Sequence, residues 1–214
     1  MFEVNATVSL ILVTAGISVY AWSNDSLRDA WILNPFVMQK RNEWYRFLTS
    51  GFLHASWTHL IFNMFAFYSF GLIIQALFVN LYGPQDGILR FLILYLGGII
   101  VSDIPTFFRH RKDVDYRSLG ASGGVASVIF ASILLHPVAP KGQGIFIFPI
   151  PFPIQPFLFG FLYLGYSYYQ GRRESDNINH DAHFYGALYG ILVTWIMIPE
   201  AASIFWNQLQ QYIL

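Results

Sequence analysis

The sequence predicts an all-α membrane protein with six transmembrane helices, and three observations lead to this fold class. Of the 214 residues, 55% are hydrophobic and only 11% are charged, whereas soluble domains carry about 25% charged residues. Six stretches are apolar and close to the roughly 20 residues that cross a bilayer. Helices are expected for them because backbone polar groups in lipid must pair within their own segment.

The predicted spans are Ala6 to Trp22, Phe52 to Val79, Ile88 to Phe107, Leu119 to His136, Ile154 to Gln170, and Ala182 to Ala201. The first lacks a basic n-region and a cleavage site, so we interpret it as a retained span and not a signal peptide. The third carries Arg90 and Asp103 near its ends, where we expect them to reach the headgroups. The fifth follows prolines at 149, 151, 153 and 156, so its helix is expected to begin after the last of them. One domain, residues 1–214, accounts for the whole chain.

Several function classes are disfavoured by composition. Twelve basic and twelve acidic residues balance, so nothing predicts a nucleic-acid partner. The absence of cysteine excludes disulfides and thiolate metal sites. The H-E-x-x-H zinc motif is also missing, and His54 and His59 at a spacing of five point apart. We therefore predict no metal and no cofactor. An aspartyl protease needs paired intramembrane aspartates, and only Asp103 comes close to qualifying.

Polar side chains recur near the starts of spans two, four and six. Spans two, four and six begin on the same side of the membrane, so these side chains share one depth. The stretch "LTSGFLHASWTHLIFNMFAF" brings His54, His59 and Asn63, "LGASGGVASV" brings Ser122, and "NHDAHFYGALYG" brings His183. Intramembrane polar groups are expensive and mark functional sites. A hydroxyl, an imidazole and further hydrogen-bonding groups converging at one depth are what a serine hydrolase needs.

Helix geometry separates the residues of span two. At about 100° per residue, Asn63 lies roughly 40° from His59, while His54 lies about 140° away. His59 and Asn63 are therefore predicted to face one point. His54 is predicted to be structural and to bond loop backbone at the membrane surface.

Small residues allow the helices that carry Ser122 and His183 to approach. Gly120 and Gly124 form one small-xxx-small pair on span four, and Gly186 and Gly190 form another on span six. Ser122 lies near the start of its helix, where unpaired backbone N–H groups can bind an oxyanion. Side-chain donors from His59 and Asn63 would complete that cradle.

Taken together, these motifs resemble the rhomboid intramembrane serine proteases. They are H-x4-H-x3-N in "HASWTHLIFN", G-x-S-G in "GASG" and A-H-x2-G-x3-G in "AHFYGALYG", on alternate spans in this order. The segment "EWYRFLTSGFLH" is similar to the family's first-loop motif around a Trp and an Arg, here Trp44 and Arg46. The resemblance implies a rhomboid-like six-helix bundle with a partly membrane-embedded first loop.

The resemblance also implies a mechanism. Ser122 would be the nucleophile and His183 the general base, without an acidic third member. His59, Asn63 and the Ser122 N–H would form the oxyanion hole. The partners would be transmembrane protein substrates, cleaved at small residues after entering from lipid past span five. The sequence carries no signal for an oligomeric state.

One position departs from the family. Many relatives carry an aromatic residue one turn after the serine, against which the histidine ring stacks, and this chain has Ala126. Either the base is held less firmly or another aromatic residue, such as Tyr185, substitutes. The alternative function is a catalytically silent rhomboid-like protein that binds or escorts membrane proteins; such proteins typically lose the serine or the histidine.

Charge and family disagree on orientation. Ten of the twelve Lys and Arg residues lie in loops on the side of Ser122, which by the positive-inside rule would be cytoplasmic. The family resemblance implies that this side is extracytoplasmic. We follow the family and expect a bacterial inner membrane, with the site opening to the extracytoplasmic side.

Overall fold

The computed structural model describes residues 5–147, 150–173 and 178–214, and the helices in these ranges form a bundle. Pro149 of the predicted proline run lies outside the described residues. The helices are α1 (Ala6–Trp22), α2 (Asp25–Trp31), α3 (Pro35–Arg41), α4 (Arg46–Thr49), α5 (Trp57–Tyr82), α6 (Pro84–His110), α7 (Ser122–Leu135), α8 (Pro156–Arg173), α9 (His180–Met197) and α10 (Ala201–Ile213).

Each predicted span corresponds to one long helix, with differences at the ends that have local causes. The helix of span two begins at Trp57 and not at Phe52, because Ser56 caps it by accepting the His59 N–H at 3.2 Å. The helix of span five begins at Pro156 itself, since a proline is tolerated in the first turn. The helix of span six ends at Met197, two residues before Pro199, which cannot continue a helix.

Length and composition mark α5 and α6 as helices able to cross a membrane. A third crossing results if α9 and α10 count as one span bent by 106°. The apolar helices α1 and α7 are shorter. The fold is therefore all-helical and suited to a membrane, while the number of six crossings stays a prediction.

Helix α7 lies at the centre of the bundle. All its residues from Gly123 to Ile133 are buried, as expected for a helix that is apolar all round. Its 14 residues rise only about 21 Å, less than the roughly 30 Å of a hydrocarbon core. At least one end of α7 therefore lies below the membrane surface.

Glycines bring the backbones of α7 and α9 into contact. A Cβ on Gly186 would overlap the carbonyl group of Gly123, and a Cβ on Gly190 would lie 2.6 Å from the Cα of Ser127. These matched steps of four show that the two helices run parallel in register. The structure thus has the close helix approach that the spacing of Gly186 and Gly190 predicts, while their role in the site stays a prediction.

The predicted pair on span four, Gly120 and Gly124, does not make the contact with α9. Gly120 precedes α7 and has φ +130°, a conformation suited to glycine. A Cβ on Gly124 would lie 2.6 Å from the carbonyl oxygen of Tyr95, so Gly124 packs against α6. The α7 positions that contact α9 are Gly123 and Ser127, which the spacing pattern alone could not distinguish from their neighbours.

The first loop contains α2, α3 and α4, which hydropathy did not predict. Arg46 is buried and organises them: its guanidinium donates to the carbonyls of Asp29 at 2.6 Å and Ile32 at 2.8 Å and pairs with Glu43 at 2.6 Å. Leu33 exchanges two backbone hydrogen bonds of 3.0 Å with Ser118. The first loop is thereby attached to the segment just before α7.

Asp103 was predicted to reach the headgroups, but its side chain faces the protein interior. It is 7% exposed and accepts a hydrogen bond from the Asn179 side-chain amide at 3.0 Å. Arg90 lies over the ring of Tyr82, 4.0 Å from its centroid.

We expect Gly186→Ala to destabilise the protein by about 1–3 kcal/mol, because the added methyl group has no space against the Gly123 carbonyl. Thermal unfolding in detergent measures this. Gly165→Ala is the matched control: it is the same substitution in a helix, and nothing lies within 4 Å of the new Cβ. Equal unfolding temperatures for the two variants would contradict the contact between α7 and α9.

Candidate active site

One cavity collects the starts of α5, α7 and α9. It has a volume of about 580 Å³, and its lining includes His59 of α5, Ser122 of α7 and His183 of α9. The structure therefore brings three of the predicted site residues together. Asn63 and His54 are not among the residues that line it.

Ser122 is the first residue of α7. No side chain of the described residues caps this end of the helix, where Ala121 occupies the N-cap position. The first backbone N–H groups of a helix have no partner within it and carry the positive end of the helix dipole. The Ser122 hydroxyl therefore lies beside backbone donors suited to a negatively charged oxygen.

His59 presents a donor to the cavity. The Ala55 N–H donates to its Nδ1 at 3.4 Å, which leaves the proton on Nε2 in the neutral ring. A Cβ on Gly120 would lie 2.8 Å from Cε1 and 3.0 Å from Nε2 of this ring. Glycine at 120 therefore lets the donating edge of His59 reach the segment just before Ser122.

Asn63 lies one turn below His59 on α5. It is 8% exposed, and its side-chain amide donates to the His59 carbonyl at 3.1 Å. The helix geometry predicted that the two side chains face one point, whereas this bond joins the Asn63 side chain to the backbone of His59. The amide retains a second N–H, so Asn63 has donor capacity beyond the bond to its own helix.

His54 differs from its prediction in two respects. It precedes α5, so the helical angle of 140° does not apply, and its ring lies 4.8 Å from that of His59. It bonds a side chain of α1 instead of loop backbone. The Ser18 hydroxyl donates to the Phe52 carbonyl at 2.8 Å, so His54 Nδ1 carries a proton and donates to Ser18 Oγ at 3.0 Å.

The His54 ring is held uncharged. Burial, with a smaller contribution from the nearby His59, lowers the pKa of His54 from 6.5 to about 3. Its backbone carbonyl accepts the Trp22 indole N–H at 2.7 Å. His54 thus anchors the start of α5 to α1, which is the structural role expected, through different partners.

His183 packs against an aromatic ring that the sequence did not indicate. The ring of Tyr163 on α8 lies nearly parallel to it, with centroids 6.0 Å apart and planes inclined by 27°. Tyr185, the substitute considered from the sequence, packs on Phe184. Ala126 is buried at the position one turn after Ser122.

Asn179 caps α9 one turn before His183 and uses its full hydrogen-bonding capacity. Its side-chain oxygen accepts from the Ala182 N–H and the Thr106 hydroxyl, both at 3.0 Å. Its amide donates to Asp103 at 3.0 Å and to Ser118 at 3.1 Å. Sequence reasoning missed this residue, although an asparagine three positions before an apolar helical run is an N-cap signal.

An ion pair closes the same end of the bundle. Arg109 at the end of α6 pairs with Asp181 at 2.6 Å and donates to the Gly171 carbonyl of α8 at 2.7 Å. Asp181 is therefore engaged with Arg109. Within the described ranges, no three His, Asp or Glu side chains are grouped as a metal site would require.

The rhomboid-domain family model matches residues 41–200. The chain belongs to the rhomboid family. This confirms the resemblance inferred from the three motifs. Family membership and the apolar helices make the protein an integral membrane protein.

Curated rhomboid relatives come from plants and bacteria. Rhomboid-like protein 11, chloroplastic, of Arabidopsis thaliana is 30% identical over 74% of this chain and 55% of its own length. Putative rhomboid protease YdcA of Bacillus subtilis is 26% identical over 74% of this chain and 69% of its length. RHOMBOID-like protein 12, mitochondrial, of Arabidopsis thaliana is 26% identical over 92% of this chain and 59% of its length. This rhomboid chain thus spans from about half to two thirds of these relatives.

We expect acid to destabilise this rhomboid through His54. Between pH 6.5 and about 3 the unfolded chain binds a proton that the folded protein does not. Stability is therefore fully present above pH 6.5 and is lost as the pH falls towards 3. In His54→Asn the loss of unfolding free energy from pH 7 to pH 5 should be smaller, measured by denaturant titration. The exposed His136 provides the control, and an equal reduction in His136→Asn would refute this explanation.

We expect Asn179→Ala to lower the free energy of unfolding by about 2–4 kcal/mol, because it removes a helix cap and leaves Asp103 without its donor. Asn5→Ala is the matched control: Asn5 caps α1 by accepting the Val8 N–H at 3.1 Å and is exposed. Its loss should cost about 1 kcal/mol. Similar costs for the two variants would contradict a network around Asn179.

Proposed function

We propose that this rhomboid-family protein is an intramembrane serine endopeptidase in which Ser122 is the nucleophile and His183 the general base. The observation that carries the proposal is the single cavity lined by His59, Ser122 and His183. The contact between Gly123 and Gly186 supports it, because Gly123 lies one position after Ser122 and Gly186 lies one turn after His183.

The reaction is acyl transfer followed by hydrolysis. Ser122 Oγ attacks the carbonyl carbon of a substrate peptide bond while His183 accepts the hydroxyl proton. The C–N bond then breaks, the amine leaves with the proton that His183 returns, and the acyl group stays on Ser122. A water molecule attacks this ester with His183 again as base, which releases the acid and restores the serine.

The oxyanion formed in each step is stabilised by donors around the start of α7. The backbone N–H of Ser122 and the Nε2–H of His59 are the nearest candidates, because His59 lies against Gly120. Asn63, which does not line the cavity in this structure, is the third proposed donor: it would turn towards the oxyanion with the N–H that its bond to the His59 carbonyl does not use. Removing one such donor typically costs 10²–10³ in kcat.

The substrates we propose are transmembrane segments of other proteins, cut at small residues. We propose that substrates enter from lipid past α8, because little of this helix is buried. Its buried residues are Gly160, Ser167 and Gly171. Cleavage at small residues is what the family resemblance implies.

We also propose that the cavity opens to the extracytoplasmic side. Three of the ten basic residues on that side are engaged locally, which weakens the topology signal. Arg46 and Arg109 bond carbonyls and carboxylates, and Arg117 donates to the carbonyls of Val114 and Tyr116 at 2.7 and 3.1 Å. Protease accessibility of terminal tags in intact cells tests this, and an extracytoplasmic N-terminus would reverse it.

The nucleophile is tested by labelling the detergent-purified protein with a fluorophosphonate and mapping the modified residue. We expect Ser122 to be modified, and both Ser122→Ala and His183→Ala to lose cleavage of a model transmembrane substrate. His59→Ala and Asn63→Ala should slow cleavage by about one to three orders of magnitude. Ser132→Ala is the control, a buried serine of the same helix that lies outside the cavity. Full activity in Ser122→Ala would exclude the proposal, and absence of labelling with substrate binding retained would favour an escort protein.

A further inference from the structure

One face of α7 carries a small residue one turn after the proposed nucleophile. Ser122, Ala126 and Phe130 follow each other at steps of four and therefore lie along one face of the helix. Ala126 is 1% exposed, so its short side chain is covered by other parts of the protein. This turn of α7 therefore offers no aromatic ring to His183.

Tyr163 of α8 supplies a ring at this place. Its centroid lies 6.0 Å from that of His183 and 5.5 Å from that of Phe130. The ring centroid of Phe159, one turn earlier on α8, lies 5.6 Å from that of Tyr163. Tyr163 thus lies among aromatic rings of α7, α8 and α9, with its ring nearly parallel to that of His183.

We infer that Tyr163 is a positioning residue for His183, which rests on the proposed function. The inclination of 27° and the separation of 6.0 Å correspond to an offset stack, a favoured aromatic arrangement. A stack restricts rotation of the imidazole about its side-chain bonds. The base then presents the same nitrogen to Ser122 in each catalytic cycle.

The source of the ring distinguishes this protein's site. Ser122 and His183 lie on α7 and α9, which glycine contacts hold together, whereas the ring lies on α8, whose buried residues are only Gly160, Ser167 and Gly171. The orientation of the base therefore depends on a third helix. Displacement of α8 would remove the support from His183 without separating α7 from α9.

Substitution of Tyr163 by Leu keeps much of the side-chain volume and removes the ring. We expect kcat for a fluorogenic transmembrane substrate to fall about 10- to 100-fold, as for a misplaced catalytic group, with KM changed less than twofold. Tyr163→Phe should retain most of the activity because it keeps the ring. Tyr169→Ala is the control on the same helix, since Tyr169 is exposed.

A second substitution provides the decisive rescue. In the Tyr163→Leu background, Ala126→Phe returns a ring beside His183 from α7. We expect kcat of the double variant to be at least tenfold higher than that of Tyr163→Leu. Ala126→Phe alone should lower activity, because Tyr163 already occupies the space beside His183. Unfolding temperatures of all variants separate loss of orientation from loss of folding.

The rate at which a fluorophosphonate modifies Ser122 gives an independent readout, and it should fall with kcat in Tyr163→Leu and recover in the double variant. If wild-type Ser122 is not modified, the proposed function fails. If it is modified and Tyr163→Leu reacts at the wild-type rate, or if Tyr163→Phe loses as much as Tyr163→Leu, this inference alone is overturned. If a lower unfolding temperature accounts for the whole loss of kcat in Tyr163→Leu, this inference is also overturned.

Discussion

The backbone contact between α7 and α9 is the constraint on which the rest of the structure depends. Gly186 and Gly190 have no side chain to separate the helices, so α9 lies directly on the carbonyls of Gly123 and Ser127. In lipid no hydrophobic effect drives helices together, and close packing with small residues takes its place. The contact positions the starts of both helices at the same depth, which brings Ser122 and His183 to one cavity.

Around this pair of helices, hydrogen bonds fix the position of the segments that carry the other site residues. Asn179 joins the start of α9 to Asp103 of α6 and to Ser118. The first loop is joined to the same Ser118 through Leu33 and is organised internally by Arg46. His54 anchors the start of α5, and with it His59, to α1. The hydrogen bonds of Asn179, Arg46 and His54 therefore lie around the starts of the helices that carry the proposed site.

The sequence predicted the helices and the convergence of polar groups well, for a physical reason. Apolar runs of membrane length are unambiguous, and parity alone places Ser122, His59 and His183 at the same depth. The sequence could not predict which neighbouring helix each face of a helix contacts. Uniformly apolar helices carry little information about which face contacts which neighbour. Gly124 therefore packs against α6 and not α9, and Asp103 is buried instead of reaching the headgroups. Tyr163 was missed because one tyrosine among many on α8 has no distinctive spacing, and its contact with His183 arises only from three-dimensional packing.

The central claim is that two parallel helices present an activated serine and its base in one water-accessible cavity. The most direct measurement is an experimental structure of the protein after reaction with a fluorophosphonate. The account predicts phosphorus bound to Ser122 Oγ, its oxygen directed at the Ser122 N–H and at His59, and a ring nitrogen of His183 within hydrogen-bonding distance of Ser122 Oγ. An adduct on another residue, or a His183 ring turned away from Ser122, would contradict it.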